Sequence, residues 1–188
     1  MKIAITGGIG SGKSYVCQYL RQLGIHVYDC DAAAKRLLAE DIRIQQSLRQ
    51  LVGNEVYTDG VLQKKILAQY ILKSAQNKQA VNDVVHPAVA LDFMRSGYSW
   101  LESAILFESG FDKRVDFDCI VCVSAPLKIR IDRIMRRDGI SEEKALQWIN
   151  CQMSQEKMES RSNYVIINDG EKNIEEQFKE LFNNINKK

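Results

Sequence analysis

The sequence predicts an α/β fold in which a parallel sheet carries helices on both faces. Short apolar runs with the length of buried strands alternate along the chain with segments of helical periodicity. Alternation of this kind is typical of parallel sheets, because the helices that connect the strands cover both faces. The composition, with 45% hydrophobic and 27% charged residues over 188 residues, is that of one globular domain with a full core.

The first strand, the first loop and the first helix form the most specific pattern in the chain. Residues 2–6 (KIAIT) are typical of a short buried strand, and residues 7–14 (GGIGSGKS) follow directly. The loop satisfies G-x-x-x-x-G-K-[ST], the Walker A phosphate-binding pattern. Residues 14–23 then place apolar side chains at helical spacing. A strand, this loop and a helix together predict a P-loop NTPase-type sheet that binds a nucleotide.

The residue types of the loop suit phosphate chemistry. Glycines allow successive backbone N–H groups to turn inward around a phosphate. We expect Lys13 to reach the β- and γ-phosphates and the Ser14 hydroxyl to hold Mg²⁺. The positive N-terminal end of the following helix favours the same anions.

The other elements follow in order, with two long helical stretches between them. Residues 32–97 carry only helix-like signals and exceed an ordinary crossover, so they predict a helical insertion. Residues 126–161 are helical and rich in arginine, and they predict a lid. We expect the last four residues to fray. The remaining strands and the closing helix are predicted at residues 24–28, 101–107, 117–123, 164–167 and 174–185, which gives a core of about residues 1–31, 98–125 and 162–188.

Two aspartates follow the second predicted strand. Asp29 and Asp31 are two residues apart, so both face the same way if the backbone stays extended. Ligands of open α/β sheets bind at the carboxyl ends of the strands, where a carboxylate can accept the proton of an acceptor hydroxyl. The alternative is that Asp31 caps a helix that begins at Ala32. The sequence leaves both interpretations open.

The predicted lid contains four arginines that share one helical face, Arg130, Arg133, Arg136 and Arg137. Arginines that close over a nucleotide neutralise the charge of the transferring phosphoryl group and exclude water. The alternative is a solvated basic face, which the mutual repulsion of the arginines disfavours.

Three further sites have weaker signals. Glu102 and Glu108 flank the third strand, and either acid fits a role near Mg²⁺. His86, next to Pro87, is more typical of a structural residue, since no nucleophile accompanies it. Asn168 opens a turn after the last strand, and a turn is the stronger interpretation there.

Bulk properties exclude several classes of protein. The net charge of +2 gives no reason to expect nucleic-acid or membrane binding, and no apolar run reaches transmembrane length. The first strand begins near Met1, so we expect no signal peptide. The five cysteines are scattered and odd in number, which favours reduced thiols in the cytoplasm. Cys119 and Cys122 would point to opposite faces of a strand, which argues against a metal or redox pair.

Six motifs in unbroken order, from Lys2 to about Leu181, make the chain resemble the dephospho-CoA kinases. They are residues 6–14, Asp29-Cys30-Asp31, His86-Pro87, Leu106-Phe107-Glu108, Arg133 with Arg137-Asp138, and Asn168-Asp169-Gly170.

The resemblance implies transfer of the γ-phosphoryl group of ATP to the ribose 3′-hydroxyl of dephospho-CoA, with Mg²⁺ as cofactor. It implies that Asp31 is the general base and that Lys13, Arg133 and Arg137 neutralise charge on the transferring group. It implies that the insertion binds the acceptor, and we expect a monomer or weak homo-oligomer. The implied acceptor-site residues are Asp29, Asp31, His86 and Glu108, and the implied nucleotide-site residues are Gly8, Gly10, Ser11, Gly12, Lys13, Ser14, Tyr15 and Asn168.

Three positions depart from the pattern of this family. Tyr15 stands where a small hydroxyl residue is usual, Ala104 where proline is common, and Glu102 where aspartate is common.

Two other functions stay open, a kinase for another small hydroxyl acceptor and a nucleotide-dependent switch. Residues 77–80 (NKQA) lack the aspartate of a guanine-binding motif, which disfavours a GTPase switch.

Overall fold

The computed structural model describes residues 1–185, and residues 186–188 of the segment expected to fray lie outside them. The main sheet has five strands in the order β2-β5-β1-β6-β7, and the β5–β1, β1–β6 and β6–β7 pairings are parallel. The predicted α/β class is therefore confirmed. The strands are β1 (Ile3–Thr6), β2 (Val27–Asp29), β5 (Trp100–Glu102), β6 (Cys119–Ser124) and β7 (Tyr164–Ile167), and a separate hairpin supplies β3 (Tyr57–Thr58) and β4 (Val61–Leu62).

The helices follow the predicted alternation. Ile185, which we expected to fray, is the last residue of the final helix and packs against the core. The helices are α1 (Lys13–Gln22), α2 (Cys30–Glu40), α3 (Ile42–Val52), α4 (Lys64–Lys73), α5 (Ala75–Arg95), α6 (Leu127–Asp138), α7 (Glu142–Asn150), α8 (Gln155–Ser160) and α9 (Ile174–Ile185).

The central position of β1 places the phosphate loop in the middle of one sheet edge. Ile5 is in register with Glu102 of β5 on one side and with Val121 of β6 on the other. Because neighbouring parallel strands end at the same edge, the segments that follow β5 and β6 meet the loop that follows β1. Apolar side chains of α1 and α9, among them Leu20 and Phe178, are fully buried in the core under this sheet.

The helices α6 and α7 share a small core of their own. Ile131 and Ile134 of α6 are buried with Ala145 and Ile149 of α7, and Ile9 of the phosphate loop packs against this group. The arginine-bearing helix is therefore anchored to the loop by apolar contact as well as by the polar contacts described below.

The predicted strand at residues 101–107 is wrong over most of its length. The β5 strand covers Trp100–Glu102, and the chain then turns until a short 3₁₀ turn at Phe111–Lys113. Leu106 and Phe107 are nevertheless buried. A buried apolar run does not distinguish a strand from a packed turn by its pattern alone, which explains the error.

The chain forms two compact units, Met1–Tyr28 with Tyr98–Lys188, and Asp29–Gly97. The second unit contains α2 to α5 and also the β3–β4 hairpin, so the expectation of an insertion without strands is wrong. Asp59 and Gly60 form the hairpin turn with φ angles of 50° and 78°. Asp-Gly between apolar runs is a strong hairpin signal, and it was present in the sequence.

The cysteines have the character of packing residues. All five are thiols, and only Cys151 is exposed. Burial raises the pKa of Cys122 to about 12, so it stays protonated and unreactive near neutral pH. Within residues 1–185, no helix is both long and apolar enough to cross a bilayer.

Candidate active site

The phosphate loop follows β1 and ends in α1. Gly12, the residue before the helix, has a φ of 90° in the left-handed region, where a side chain would be strained. The helix begins at Lys13, so its first N–H groups lie at the loop. This geometry is the one that the Walker A pattern predicts for a site that binds phosphate.

Side chains from the lid and from the turn after β7 hold the loop from outside. Arg133 donates to the carbonyl oxygens of Gly10 and Ser11 at 3.4 and 3.3 Å. Asn168, itself 7% exposed, donates from Nδ2 to the Ser11 oxygen at 2.9 Å. Gln152 accepts from the N–H of Ile9 at 2.7 Å. From the sequence, Arg133 was predicted to act on the transferring group and Asn168 to lie in the nucleotide site; in the structure both side chains donate to carbonyl oxygens of the loop.

Lys13 lies next to an acid of the neighbouring strand. Its Nζ is 3.9 Å from Oε1 of Glu102, and the two side chains are only 11% and 21% exposed. Glu108 instead accepts from the backbone N–H of Met153 at 3.0 Å. The acid at the phosphate loop is therefore Glu102, and Glu108 joins the turn after β5 to the segment between α7 and α8.

Two buried hydroxyls at the loop have no hydrogen-bond partner within the described residues, Thr6 Oγ1 and Ser11 Oγ. Buried polar atoms are normally paired, so these two fit a polar ligand in the loop. Ser14 is exposed on the first turn of α1, where its hydroxyl suits Mg²⁺, which prefers oxygen ligands. The described residues hold no cluster of three metal-ligating side chains. An ion of this type, held by a few protein oxygens and by phosphates, fits that donor set.

A cavity of about 830 Å³ opens beside the loop. It brings together four residues that the sequence assigned to the nucleotide or to the transfer, Gly12, Tyr15, Arg133 and Asn168. The rest of its lining includes Tyr19 and residues 170–175. Tyr15 is 60% exposed, so its ring is available to a ligand in this cavity. The volume is in the range of sites for small molecules and cofactors.

The second predicted transfer arginine lies in a different environment. Arg137 is near the end of α6, its side chain is 61% exposed, and its Nη2 donates to Asp138 at 2.8 Å. The structure therefore brings Arg133 to the loop and leaves Arg137 at the exposed end of the helix.

The predicted acceptor residues Asp29, Asp31 and His86 belong to the unit Asp29–Gly97. Asp29 caps α2, because its Oδ1 accepts from the N–H of Ala32 at 2.9 Å. The helix begins at Cys30, so the expectation of an extended backbone through both aspartates is wrong. The cap is Asp29, and the exposed carboxylate in the first turn is Asp31. His86 lies half-buried within α5, which continues through Pro87.

Sequence reasoning missed the roles of two lid residues. Gln152 has no periodic or motif signal that marks its contact with Ile9. Arg130 was grouped with the arginines that face a nucleotide, yet it is only 4% exposed. The sequence did contain one signal for the burial of Arg130, which is its position in the first turn of a helix with an apolar face.

Comparison with known proteins agrees with the geometry. Residues 1–174 match the family model described as dephospho-CoA kinase. A dephospho-CoA kinase of Bacteroides fragilis is 45% identical over 188 residues, covering 96% of this chain and 91% of the relative. A crystal structure of a Thermus thermophilus protein is 33% identical, with a TM-score of 0.78 over 100% of this chain and 97% of that one. A dephospho-CoA kinase structure from Campylobacter jejuni, 19% identical, shares the fold with a TM-score of 0.66 over 99% and 96% of the two chains. The chain therefore belongs to the dephospho-CoA kinase family.

Proposed function

We propose that this protein, an ATP-dependent dephospho-CoA kinase of CoA biosynthesis, phosphorylates the ribose 3′-hydroxyl of its acceptor through the residues described above. The observation that carries the proposal is the phosphate loop, with Lys13 beside Glu102 and a cavity of about 830 Å³ at its end. The reaction gives CoA and ADP.

The donor side of the site is built by the phosphate loop and the cavity beside it. The loop residues Gly8, Gly10, Ser11 and Gly12 surround the phosphates, where the N–H of Ser11 donates to the Gly8 oxygen at 3.1 Å and the Ser11 hydroxyl has no partner within the described residues. Tyr15 and Asn168 line the space for the rest of the nucleotide. Ser14 would hold Mg²⁺, with Glu102 as the nearby acid. Bound there, the ion would supply positive charge that offsets the charge of the phosphates.

The acceptor side belongs to the unit Asp29–Gly97, in which Asp31 is the general base. Its carboxylate is exposed in the first turn of α2, whereas the carboxylate of Asp29 is engaged as the cap. A cavity of about 450 Å³ between α2, α3 and α5 supports acceptor binding in this unit. Pro87 lines that cavity, whereas His86 is not among its lining residues, and a role of His86 in orienting the acceptor stays a prediction.

Charge on the transferring group is neutralised by Lys13, Arg133 and Arg137. A loose transition state for phosphoryl transfer spreads negative charge over three oxygens, so fixed cations stabilise it more than they stabilise the ground state. Arg133 already lies at the cavity, and Arg137 approaches from the exposed end of α6.

The five thiols suit a reducing compartment, and we propose that the protein acts in the cytoplasm. A monomer or weak homo-oligomer stays a prediction.

The test is ADP release from ATP and Mg²⁺ with and without dephospho-CoA, with adenosine and shikimate as control acceptors. We expect release only with dephospho-CoA, and CoA as the product. Faster turnover of either control acceptor in a folded protein that binds ATP would contradict the proposal and would favour a kinase for another hydroxyl acceptor.

The role of Asp31 has its own test. The substitution Asp31→Asn should lower kcat by about 10²- to 10⁴-fold, the range for a general base, and leave the ATP dissociation constant unchanged. Equal losses in ATP binding and in turnover would make Asp31 a structural residue. Unchanged activity would favour the nucleotide-dependent switch.

A further inference from the structure

Arg130 has an environment unlike that of the other arginines of its helix. It lies in the first turn of α6 and is 4% exposed, whereas Arg136 and Arg137 are exposed. Buried arginines are rare unless they are hydrogen-bonded and their charge is balanced. The contacts of this side chain therefore call for a functional explanation.

The guanidinium of Arg130 contacts the outside of the phosphate loop. Its Nε donates to the carbonyl oxygen of Ile9 at 3.0 Å. In a planar trans peptide the carbonyl oxygen and the following N–H point in opposite directions. The contact at Ile9 therefore fixes the direction of the Gly10 N–H, which belongs to the same peptide. A hydrogen bond to the carbonyl also polarises that peptide and strengthens its N–H as a donor.

The same guanidinium explains why position 8 is glycine. A Cβ on Gly8 would lie 2.5 Å from Nη2 of Arg130, so the guanidinium would have to shift to admit it. Gly8 has no positive φ, so this contact rather than the backbone conformation favours glycine there. The loop and the arginine therefore fit together as one packed unit.

A chain of hydrogen bonds fixes Arg130 on its other side. Its Nη1 donates to Oε1 of Gln155 at 3.2 Å. Gln155 donates from Nε2 to the Ser124 hydroxyl at 2.6 Å, and Ser124 donates to Glu159 at 2.6 Å. The guanidinium is thus held in one orientation between the end of β6 and the loop.

Arg130 forms no salt bridge within the described residues, and the carboxylate whose charge acts on its pKa is that of the exposed Glu156. In the part of the chain that the structure describes, none of the ion pairs includes this residue. Its hydrogen bonds go to a neutral carbonyl and a neutral amide, and burial lowers its pKa. Glu156 offsets only part of the effect of burial on the pKa of Arg130, and a phosphate bound in the loop would supply a further anion for this buried cation.

We infer that Arg130 is a positioning residue of the nucleotide site, which orients the Ile9–Gly10 peptide and favours binding of the donor's phosphates from behind the loop. The inference rests on the proposed function only for the identity of the donor, ATP. It is tested by nucleotide binding without any acceptor, so its failure is separate from failure of the proposed reaction.

The experiment compares Arg130→Gln with Arg136→Gln, which removes the same charge from an exposed position of the same helix. ATP binding is measured by isothermal titration calorimetry, and adenosine binding by ligand-observed NMR. We expect Arg130→Gln to raise the ATP dissociation constant at least about 10-fold and to leave that of adenosine within about two-fold, since adenosine has no phosphate. Arg136→Gln should leave both within about two-fold. Arg130→Lys, which keeps the cation, should recover part of the loss.

An ATP dissociation constant within about two-fold of wild type in Arg130→Gln would overturn the inference. An equal loss of adenosine and ATP binding would also overturn it, because a general structural defect would then account for the effect. If circular dichroism shows that Arg130→Gln does not fold, Arg130→Lys is measured in its place. We then expect ATP binding to be at least about three-fold weaker than in the wild type. An unchanged ATP dissociation constant in Arg130→Lys would contradict the inference.

Discussion

The two ends of α6 place the same type of side chain in opposite environments. At the start of the helix, Arg130 and Arg133 reach the carbonyl oxygens of the phosphate loop. At its end, Arg136 and Arg137 are exposed. Four arginines on one helical face suggested a single role, and the structure divides them into a pair that supports the loop and a pair in solvent. Distance along the helix from the loop, rather than residue type, separates the two groups.

The two pairs of arginines also differ in the free energy of their contacts. Arg137 pairs with Asp138, the next residue of the chain, and this ion pair is largely solvated. Surface ion pairs of this kind contribute about 0–1 kcal/mol to stability. Arg137 can therefore exchange this partner for a phosphate at little cost. The loop-side arginines cannot move without leaving loop carbonyls unpaired.

The largest effect within this comparison is expected at the exposed end. The substitution Arg137→Ala should lower kcat by about 10²- to 10³-fold, the range for removal of one group that stabilises charge in a transition state. The ATP dissociation constant and the melting temperature should not change, since the side chain of Arg137 is 61% exposed and bonds to the adjacent Asp138. Steady-state kinetics measures kcat, and calorimetry measures the ATP dissociation constant and the melting temperature, with Arg136→Ala as the matched control. Equal kcat values in the two variants would remove Arg137 from the transfer step.

At the loop side we expect a smaller effect, and we expect it on ATP binding. The substitution Arg133→Ala removes donors to Gly10 and Ser11 and a wall of the nucleotide cavity. We expect ATP binding to weaken by roughly 10-fold, or about 1.4 kcal/mol. Binding measured without acceptor separates this effect from a loss in kcat. Unchanged ATP affinity together with reduced kcat would leave Arg133 only the charge-neutralising role that it shares with Arg137, and would end the distinction between the two ends of the helix.

The smallest effect is expected at Asn168, which supports the loop without a charge. The substitution Asn168→Asp keeps the size of the side chain and removes the N–H donor to the Ser11 oxygen. The free energy of unfolding should fall by about 1 kcal/mol, the lower end of the cost of leaving a buried acceptor without a donor, because the Ser11 oxygen keeps its contact with Arg133. Urea unfolding measures it, and Asp169→Asn, in the same turn, is the control. A larger loss of stability in the control would show that the turn, and not the contact with the loop, matters.

Much of the fold follows from local signals. The phosphate loop, β7 and α9 lie where the sequence predicted them, because each combines an apolar pattern with a clear boundary. The third strand was predicted too long, since the buried positions of Leu106 and Phe107 are set by packing of a turn. The start of α2 was placed too late because the choice of Asp29 over Asp31 as the cap depends on where β2 ends.

The candidate site was predictable in its residue types but not in its contacts. The Walker A pattern specifies Lys13 and Ser14, and the structure adds that Lys13 lies beside Glu102, whereas Glu108 accepts from the N–H of Met153. Strand register determines this choice, and register is not local information. The burial of Arg130 likewise depends on how α6 packs against the loop, which no spacing of arginines reveals.

The most direct test of the account is the substitution Lys13→Ala. Dephospho-CoA-dependent ADP release should fall by at least about 10³-fold, because the cation at the β- and γ-phosphates is lost, while the fold is retained. Turnover and circular dichroism of the same sample give both quantities. Turnover at the wild-type rate in a folded Lys13→Ala protein would contradict the assignment of the phosphate loop as the site of transfer.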